Sequence, residues 1–362
     1  MTIIGLGLIG GSWGMALKRT HPEINICGVD INYPTIQIGI ETKCIDWGTL
    51  DVVEGVGDAD MVIICTLTSS IKRIAQNISA HLKPGSLVTD VGSTKELIAN
   101  NLYEILPEKV YYVPGHPMAG SEAKGIEGAD SYLFENAAYI LTPTPQTNQK
   151  ALNTLKGIIT AIGAKVLELS PQEHDLKVAA ISHMPHVIAS ALVNGVSYLE
   201  EDNKGVFQLS AGGFRDLTRI ADSQPEMWQD IFMQNKEGVL HSIGYFQRAL
   251  DKIKQAIIDQ DKNEILNFLQ KSTSERQKVP AKAKGILPGV YELVVTVADR
   301  PGIIGEVASL LGDADLNIAD IEILRVREGD GGTIRFGFGH KEIRDRAFLL
   351  LKEKGYLVKV RN

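Results

Sequence analysis

The chain has 362 residues, a net charge of −7 and 44% hydrophobic residues. A chain of this length is expected to form two or three domains of roughly 100–200 residues each. Its apolar content is sufficient for a sizeable core, which excludes disorder as the default. Because the balance of charge is acidic, whereas nucleic-acid-binding proteins carry a basic footprint, we expect no nucleic-acid partner.

The three cysteines, Cys27, Cys44 and Cys65, are odd in number and form no Cys-x-x-Cys pair. This usage is typical of inert free thiols in a reducing cytoplasm and argues against a disulfide framework or a zinc site. The first residues lack the basic region of a signal peptide. Uninterrupted apolar runs stay short of the ~18 residues that a membrane helix needs. We therefore expect a cytoplasmic protein with no membrane partner and no metal.

Residues 1–169 alternate short β-branched runs with amphipathic stretches, a pattern that predicts βαβ units and a mostly parallel sheet. The run 61–65 is apolar throughout, as in a strand buried on both faces. The predicted strands are 2–6, 25–30, 61–67, 87–91, 110–113, 138–141 and 165–169. The predicted helices are 9–18, 69–81, 95–106 and 148–162.

Residues 170–271 have the pattern of an all-α domain. Ser170 begins the segment Ser-Pro-Gln-Glu and Ser223 begins the segment Ser-Gln-Pro-Glu, and both have the signature of a capping box. Almost everything up to residue 269 has helical period. Residues 272–289 are basic and contain proline and glycine, which is the composition of a linker.

Residues 290–362 predict a compact βαββαβ unit, the ferredoxin-like order. Its predicted strands are 290–298, 316–327, 333–338 and 356–360, and its predicted helices are 302–312 and 341–354.

A glycine-rich turn follows the first predicted strand and opens the first helix, and Asp30 ends the next strand about 20 residues later, as in the dinucleotide-binding fingerprint. Asp30 would accept hydrogen bonds from the ribose hydroxyls and repel a 2′-phosphate, and residues 31–33 supply no arginine, so the predicted cofactor is NAD and not NADP. Only four residues precede the turn, so this strand is clipped or its true start lies upstream. The predicted cofactor-binding residues are Gly5, Gly7, Leu8, Ile9, Gly10 and Asp30.

Polar residues cluster in four further segments. Segments 89–96 and 115–122 each follow a predicted strand, the place where open α/β sheets bind ligands. Segments 182–186 and 212–219 lie in the helical domain and contain histidines and arginines.

In this order, the glycine turn and the four segments resemble the prephenate dehydrogenase family over about residues 1–272. The His-Pro-Met-Ala-Gly-Ser run at 116–121 and the Gly-Gly-Phe-Arg-Asp-Leu-Thr-Arg run at 212–219 are specific to that family. The resemblance implies a Rossmann domain that binds NAD and a helical domain through which the chain forms a homodimer. It also implies the oxidation of prephenate, with loss of carbon dioxide, to 4-hydroxyphenylpyruvate in tyrosine biosynthesis.

The resemblance places the catalytic base at His116, and histidine titrates near working pH. Ser93 matches a serine that orients this histidine. Because Ser93-x-x-Glu96 also has the pattern of a capping box, Ser93 could serve as a helix cap alone or as a cap and a site residue.

Prephenate has two carboxylates, and Arg219 matches the family's substrate arginine, with a surface pair to Asp216 as the alternative. His186 is placed near the substrate side chain, His183 is more simply structural, and Trp228 either lines the pocket or packs in its helix. His174 and Asp175 have the pattern of solvated first-turn residues, with a role at the domain interface left open. The predicted substrate-binding residues are Arg219, His186, Ser121, Gly212, Asp216 and Trp228.

The C-terminal unit resembles the ACT domain in the run 299–308 and in the Asn-Ile pair that follows. ACT modules pair through their sheets and bind amino acids between subunits, which implies L-tyrosine as effector. The alternative is a module that dimerises and binds nothing. The predicted effector-binding residues are Asp299, Arg300, Pro301, Gly302, Ile303, Asn317 and Ile318.

Two other functions are compatible with these motifs. An arogenate dehydrogenase would need a carboxylate facing the substrate ammonium group, and the sequence does not locate one. A noncatalytic sensor of NAD and amino acids would not need a base, so the joint presence of His116, Ser93 and Arg219 argues against it.

Overall fold

The structure, a computed structural model, describes residues 1–120, 123, 125–279, 291–298, 300–324 and 332–361. The chain forms two compact units, Met1–Arg276 and Gln277–Asn362.

The first unit contains a sheet with strand order β3-β2-β1-β4-β5-β6-β7-β8. Strands β1 to β6 run parallel, while β7 is antiparallel to β6 and parallel to β8. The predicted mostly parallel, Rossmann-like sheet is therefore confirmed. The strands are β1 Thr2–Ile4, β2 Cys27–Val29, β3 Trp47–Thr49, β4 Met61–Ile64, β5 Leu87–Asp90, β6 Tyr111–Pro117, β7 Ala138–Leu141 and β8 Lys165–Glu168.

Helices cover both faces of this sheet, because its buried strands present apolar side chains on each side. One apolar cluster centres on Trp13, Phe134 and Tyr139, and the other contains Ile71 and Leu102. The helices are α1 Leu8–Thr20, α2 Tyr33–Glu41, α3 Val52–Val56, α4 Thr68–Ile78, α5 Glu96–Ile105 and α6 Gln149–Ala161. The sequence analysis did not predict α2, β3 and α3.

The rest of the first unit is helical. Ser170 forms the predicted capping box with Glu173 at the start of α7. The second predicted box is wrong, because α10 has Gln224 at its N-cap and the Ser223 hydroxyl bonds a histidine ring instead. The helices are α7 Pro171–Val178, α8 Met184–Asp202, α9 Gly212–Thr218, α10 Pro225–Gln234, α11 Lys236–Ile258 and α12 Lys262–Gln277.

Helices α7 and α8 are joined by a π-helical turn, Ala179–His183, so that Pro171–Asp202 is one continuous helical stretch. By length and composition alone this stretch could cross a membrane, although polar residues interrupt its apolar runs. Buried helices of soluble proteins meet the same criterion. This one carries buried His174, Asp175, His183 and His186, which pair with other parts of the unit.

The second unit has the predicted βαββαβ order and a four-stranded sheet, β10-β11-β9-β12, in which every pairing is antiparallel. Its apolar core includes Val295, Val307, Phe336 and Leu351. The elements are β9 Tyr291–Val297, α13 Ile303–Asp313, β10 Asp320–Leu324, β11 Gly332–Phe338, α14 Lys341–Glu353 and β12 Leu357–Arg361.

Candidate active site

The turn between β1 and α1 has the geometry that dinucleotide binding requires. Gly5 adopts φ of 91°, which favours glycine, and a Cβ on Gly10 would lie 1.9 Å from the Gly5 carbonyl oxygen. A Cβ on Gly7, the N-cap of α1, would meet nothing within 4 Å. The helix N-terminus at Leu8 and Ile9 is thus open to a pyrophosphate, which free helix amides favour.

Asp30 lies immediately after β2 and fixes the loop beside this turn. Its two carboxylate oxygens accept hydrogen bonds from the amides of Leu6 and Asn32, each at 2.9 Å. Each oxygen keeps further acceptor capacity for ribose hydroxyls. The residues present therefore fit NAD, and a 2′-phosphate would meet the Asp30 charge.

A buried ion pair lies at the carboxyl ends of β5 and β6. Lys95 and Asp90 are both 0% exposed, and the Lys95 ammonium donates to the Asp90 carboxylate and, at 2.7 Å, to the Gly115 carbonyl. Tyr112 donates its hydroxyl to Asp90 at 2.7 Å. The pair therefore anchors the backbone directly before His116.

His116 is the first member of a hydrogen-bonded chain. Its Nδ1 lies 2.8 Å from Nε2 of His174, and Nδ1 of His174 lies 2.7 Å from Oδ1 of Asp175. Burial and the neighbouring His174 and Lys95 lower the pKa of His116 well below its usual value. Burial also lowers the pKa of His174, against the opposing effect of Asp175. Both rings are therefore neutral at pH 7.

The expectation that His174 and Asp175 are solvated is wrong, because His174 is 0% and Asp175 5% exposed. They are buried because the first turn of α7 packs against the start of α5. The Asp175 carboxylate accepts hydrogen bonds from the backbone amides of Lys95 and Glu96, at 2.7 and 2.9 Å.

Asp175 thereby supplies the helix cap that the Ser93-x-x-Glu96 pattern predicts for Ser93. Helix α5 begins at Glu96 with Lys95 at its N-cap and no cap from a side chain near it in sequence, so the predicted Ser93 capping box is wrong. Ser93 is half-buried in the segment between β5 and α5. Strands β5 and β6 are neighbours and pair through Asp90 and Pro114. Ser93 follows β5, and His116 lies on β6.

A second group of aromatic rings is linked to this hydrogen-bonded chain through Asn235. Asn235 donates to the Asp175 carbonyl at 2.7 Å and lies 3.3 Å from Nδ1 of His183. The His183 ring makes an edge contact with Trp228, at a centroid distance of 6.2 Å. Burial lowers the pKa of His183 to about 4. The His183 ring therefore lies between Asn235 and the indole.

His186 stacks on Trp228 with ring centroids 3.8 Å apart, and its Nε2 lies 2.7 Å from the Ser223 hydroxyl. The Trp228 indole nitrogen is buried and has no hydrogen-bond partner among the residues that the structure describes. A buried donor of this kind is normally satisfied, so an acceptor on a ligand would complete it. The structure thus brings the predicted His186 and Trp228 together.

The remaining predicted substrate residues lie on an exposed segment. Gly212 and Asp216 are on α9, and Arg219 begins the short turn Arg219–Ala221, which packs against α8. Arg215 is exposed and donates to the Ser210 carbonyl at 3.1 Å. Ser121 lies outside the described residues.

In the second unit, Gly302 adopts φ of 85° and forms the N-cap of α13. Arg300 pairs with Glu306, which also accepts the Tyr356 hydroxyl at 2.8 Å. Pro301, Gly302 and Asn317 are exposed, Ile318 is half-buried, Ile303 is buried, and Asp299 lies outside the described residues.

A cavity of about 520 Å³ lies between α5, α7 and α11, behind Asp175. Its lining includes Glu96, Asp175 and Glu237 against one lysine, Lys236. That charge is unsuited to a dicarboxylate, so this cavity is not the substrate site.

The cysteines have the geometry of inert thiols. Cys27 and Cys44 are buried, Cys65 is half-buried, and all are free. Burial raises the pKa of Cys27 to about 11 and also raises that of Cys44 and Cys65. Within the described ranges, no three His, Cys, Asp or Glu side chains are grouped to hold a metal ion.

Sequence reasoning missed the partner of His116, which is His174, and the residues that surround this pair, which are Asp175, Lys95 and Asn235. The only local signal was the His174-Asp175 pair itself, and its position in a first helical turn favoured the solvated interpretation. Lys95 belongs to the polar segment 89–96, in which the sequence indicates no separate role for it.

Comparison with known proteins identifies the family. The nucleotide-binding and dimerization domains of prephenate dehydrogenase match residues 13–168 and 170–271, and the ACT domain matches residues 291–345. The chain is 36% identical to prephenate dehydrogenase from Bacillus subtilis, over 95% of this chain and 93% of that protein. It is 37% identical to the Lactococcus lactis enzyme, over 94% of each.

Among solved structures, prephenate dehydrogenase from Aquifex aeolicus in complex with hydroxyphenyl propionate and NAD⁺ matches with a TM-score of 0.73 and 34% identity. The match covers 77% of this chain and 97% of that one. The buried His116 chain, the open glycine turn and these matches lead to one conclusion: the chain belongs to the prephenate dehydrogenase family.

Proposed function

We propose that this chain oxidises prephenate, with loss of carbon dioxide, to 4-hydroxyphenylpyruvate while NAD is reduced to NADH. The observation that carries the proposal is the position of His116 at the carboxyl edge of the Rossmann sheet, in a buried hydrogen-bonded chain with His174 and Asp175. A deprotonated histidine at this edge meets the requirement for a general base.

The bound cofactor supplies the acceptor for the hydride that leaves C4 of the substrate ring. His116 accepts the proton of the C4 hydroxyl, and Ser93 orients the histidine and bonds the same hydroxyl. When the ring carboxylate leaves as carbon dioxide, its bonding electrons make the ring aromatic, and the proton on His116 returns to the phenolate oxygen. The products are 4-hydroxyphenylpyruvate, carbon dioxide and NADH, so that atoms and charge balance.

Substrate binding is assigned to Arg219, His186, Ser121, Gly212, Asp216 and Trp228. The buried indole N–H of Trp228, beside His186, has no partner in the part of the chain that the structure describes, and a substrate oxygen would satisfy it, which supports this assignment. Arg219 supplies the positive charge for a carboxylate.

The domains are assigned as the cofactor domain 1–169, the helical dimerisation domain 170–271, a linker 272–289 and the regulatory domain 290–362. A homodimer is supported by large apolar side chains that this copy leaves exposed on the helical domain, where a second copy would cover them. Examples are Tyr198 on α8, Leu240 and Ile257 on α11, and Leu269 on α12. A soluble cytoplasmic enzyme is consistent with the free thiols.

L-tyrosine is assigned as the effector, bound at the start of α13 by Asp299, Arg300, Pro301, Gly302, Ile303, Asn317 and Ile318. Helix amides after Gly302 suit its carboxylate. If tyrosine and prephenate favour different states, each weakens binding of the other by the same factor. Calorimetric titration of the intact chain tests this proposal, and an absence of heat at all tyrosine concentrations would refute it.

The activity is tested by offering prephenate or arogenate with NAD or NADP and following cofactor reduction by absorbance. We expect reduction of NAD with prephenate. Turnover of arogenate alone would replace the substrate assignment, and no reduction in any combination would favour the noncatalytic sensor.

A further inference from the structure

The hydrogen-bonded chain behind His116 fixes which of its ring nitrogens carries the proton. The argument starts at Asp175, whose Oδ1 accepts the amide of Lys95 and whose Oδ2 accepts the amide of Glu96. Backbone amides only donate, so both oxygens act as acceptors. An ionised carboxylate has no proton to give, so Nδ1 of His174, 2.7 Å from Oδ1, must donate to it.

The direction of the next hydrogen bond follows. Because neutral His174 carries its proton on Nδ1, its Nε2 has a lone pair and can only accept. Its partner, Nδ1 of His116 at 2.8 Å, must therefore carry a proton. Neutral His116 has one ring proton, so its Nε2 is unprotonated and can accept a hydrogen bond from a substrate hydroxyl.

We propose that His174 and Asp175 are positioning residues that hold His116 in the Nδ1-protonated tautomer, with Nε2 ready to accept the substrate proton. This rests on the proposed function, in which His116 is the base. A histidine held in the opposite tautomer would present an N–H to the substrate and could not act.

Charged groups act on both rings of the chain. Lys95 and His183 disfavour a cation at His116. Asp175 favours a cation at His174, the ring that bonds His116, and Asp90 adds to this effect. Asp175 is held in place by the N-terminus of α5 and so needs little reorganisation during the reaction.

Three variants of the full chain test the proposal. In Asp175→Asn the amide cannot accept all three hydrogen bonds, so the tautomer of His174 is no longer imposed. We expect kcat to fall by about 10²–10⁴, the range for loss of a base or its orienting carboxylate, with KM for prephenate and Kd for NAD little changed.

His174→Gln and His174→Leu form a matched pair. The glutamine carbonyl can accept the Nδ1 proton of His116, so this variant should keep kcat within about tenfold of wild type, whereas leucine should cost about 10² or more. Both remove the imidazole, so a purely structural role predicts equal losses, which would overturn the proposal. Lys177→Ala, exposed on the same helix, is the control and should leave kcat unchanged.

A ¹⁵N NMR spectrum of the intact chain labelled at its histidine rings reads the tautomer directly, with the His116 signals assigned from His116→Asn. We expect His116 protonated at Nδ1 in the wild type and a mixed or Nε2-protonated ring in Asp175→Asn. An Nε2 proton in the wild type overturns the proposal. The expected tautomer without dehydrogenase activity would instead refute the proposed function and leave the hydrogen-bond directions standing.

Discussion

The two units of the molecule differ in whether the partners of a buried charge are themselves buried. In the first, Lys95 and Asp90 are both 0% exposed and are surrounded by neutral partners such as the Tyr112 hydroxyl and the Gly115 carbonyl. In the second, the Arg335 side chain is 3% exposed, but its carboxylate partners are 21–43% exposed. These partners, on β9 and β10, are Glu292, Asp320 and Glu322.

This difference in the burial of the partners corresponds to a difference in the role of the two ion pairs. Water cannot replace a lost partner at Lys95, so the pair is rigid and suits a site where the backbone before His116 must not move. Water reaches the carboxylates around Arg335, which joins three neighbouring strands of the ACT sheet and carries no reacting group. The predictions below test whether the first unit is the sensitive one.

The largest effect is expected at the base itself. His116→Asn removes the proton acceptor, and kcat should fall by about 10²–10⁴, the contribution of a general base. NAD affinity should be unchanged, because the glycine turn and Asp30 are intact. Steady-state kinetics and a calorimetric NAD titration measure both quantities, and full activity in this variant would remove His116 from the mechanism.

Lys95→Met should lower the free energy of unfolding of the first unit by about 3–5 kcal/mol, because it leaves Asp90 charged and buried without its ion. Lys83→Met is the matched control, since its ion pair with Asp60 is exposed to water and should contribute little to stability. Urea unfolding of the two variants, monitored on the intact chain, gives the comparison. Equal losses would contradict a special role for burial.

The buried histidines should make stability depend on pH. His183 has a pKa of about 4 in the folded chain against 6.5 for an ordinary histidine, so the unfolded chain binds the proton first as pH falls. Stability is therefore present above pH 6.5 and is lost as pH falls toward about 4. Between pH 7 and pH 5 the wild type should lose on the order of 2 kcal/mol more than His183→Gln. Parallel slopes in denaturant titrations would contradict this.

The smallest effect is expected in the second unit. Arg335→Leu leaves three carboxylates that can turn to water, so the loss should be about 1–2 kcal/mol and should shrink with added salt. Hydrogen exchange of peptides from β9, β10 and β11 in the intact chain measures it locally. A loss as large as that of Lys95→Met would remove the contrast between the units.

The sequence was sufficient where the signal is local. The glycine turn, Asp30 and the Ser170 capping box are each defined within a few residues, and the structure has them as predicted, although the role of Asp30 toward NAD stays a prediction. Strand β3 was missed because Trp47–Thr49 lies at the edge of the sheet and is exposed or half-buried, so it forms no buried apolar run of the kind that marks β1 and β2. The Ser93 cap was wrong because Asp175, 80 residues away in sequence, supplies the acceptor for α5. Local pattern cannot report such a partner.

The π-helical turn Ala179–His183 has a consequence for how this region can change in evolution. A π-helical turn holds one residue more than an α-helical turn, and each residue of an α-helix rotates the chain by about 100°. A deletion in an α-helical turn of this stretch would therefore rotate the residues that follow it, whereas deletion of Ile181, whose side chain is 69% exposed, would convert the π-helical turn to ordinary helix and leave His186 close to Trp228. The π-helical turn should therefore tolerate the loss of one residue that the α-helical turns beside it would not.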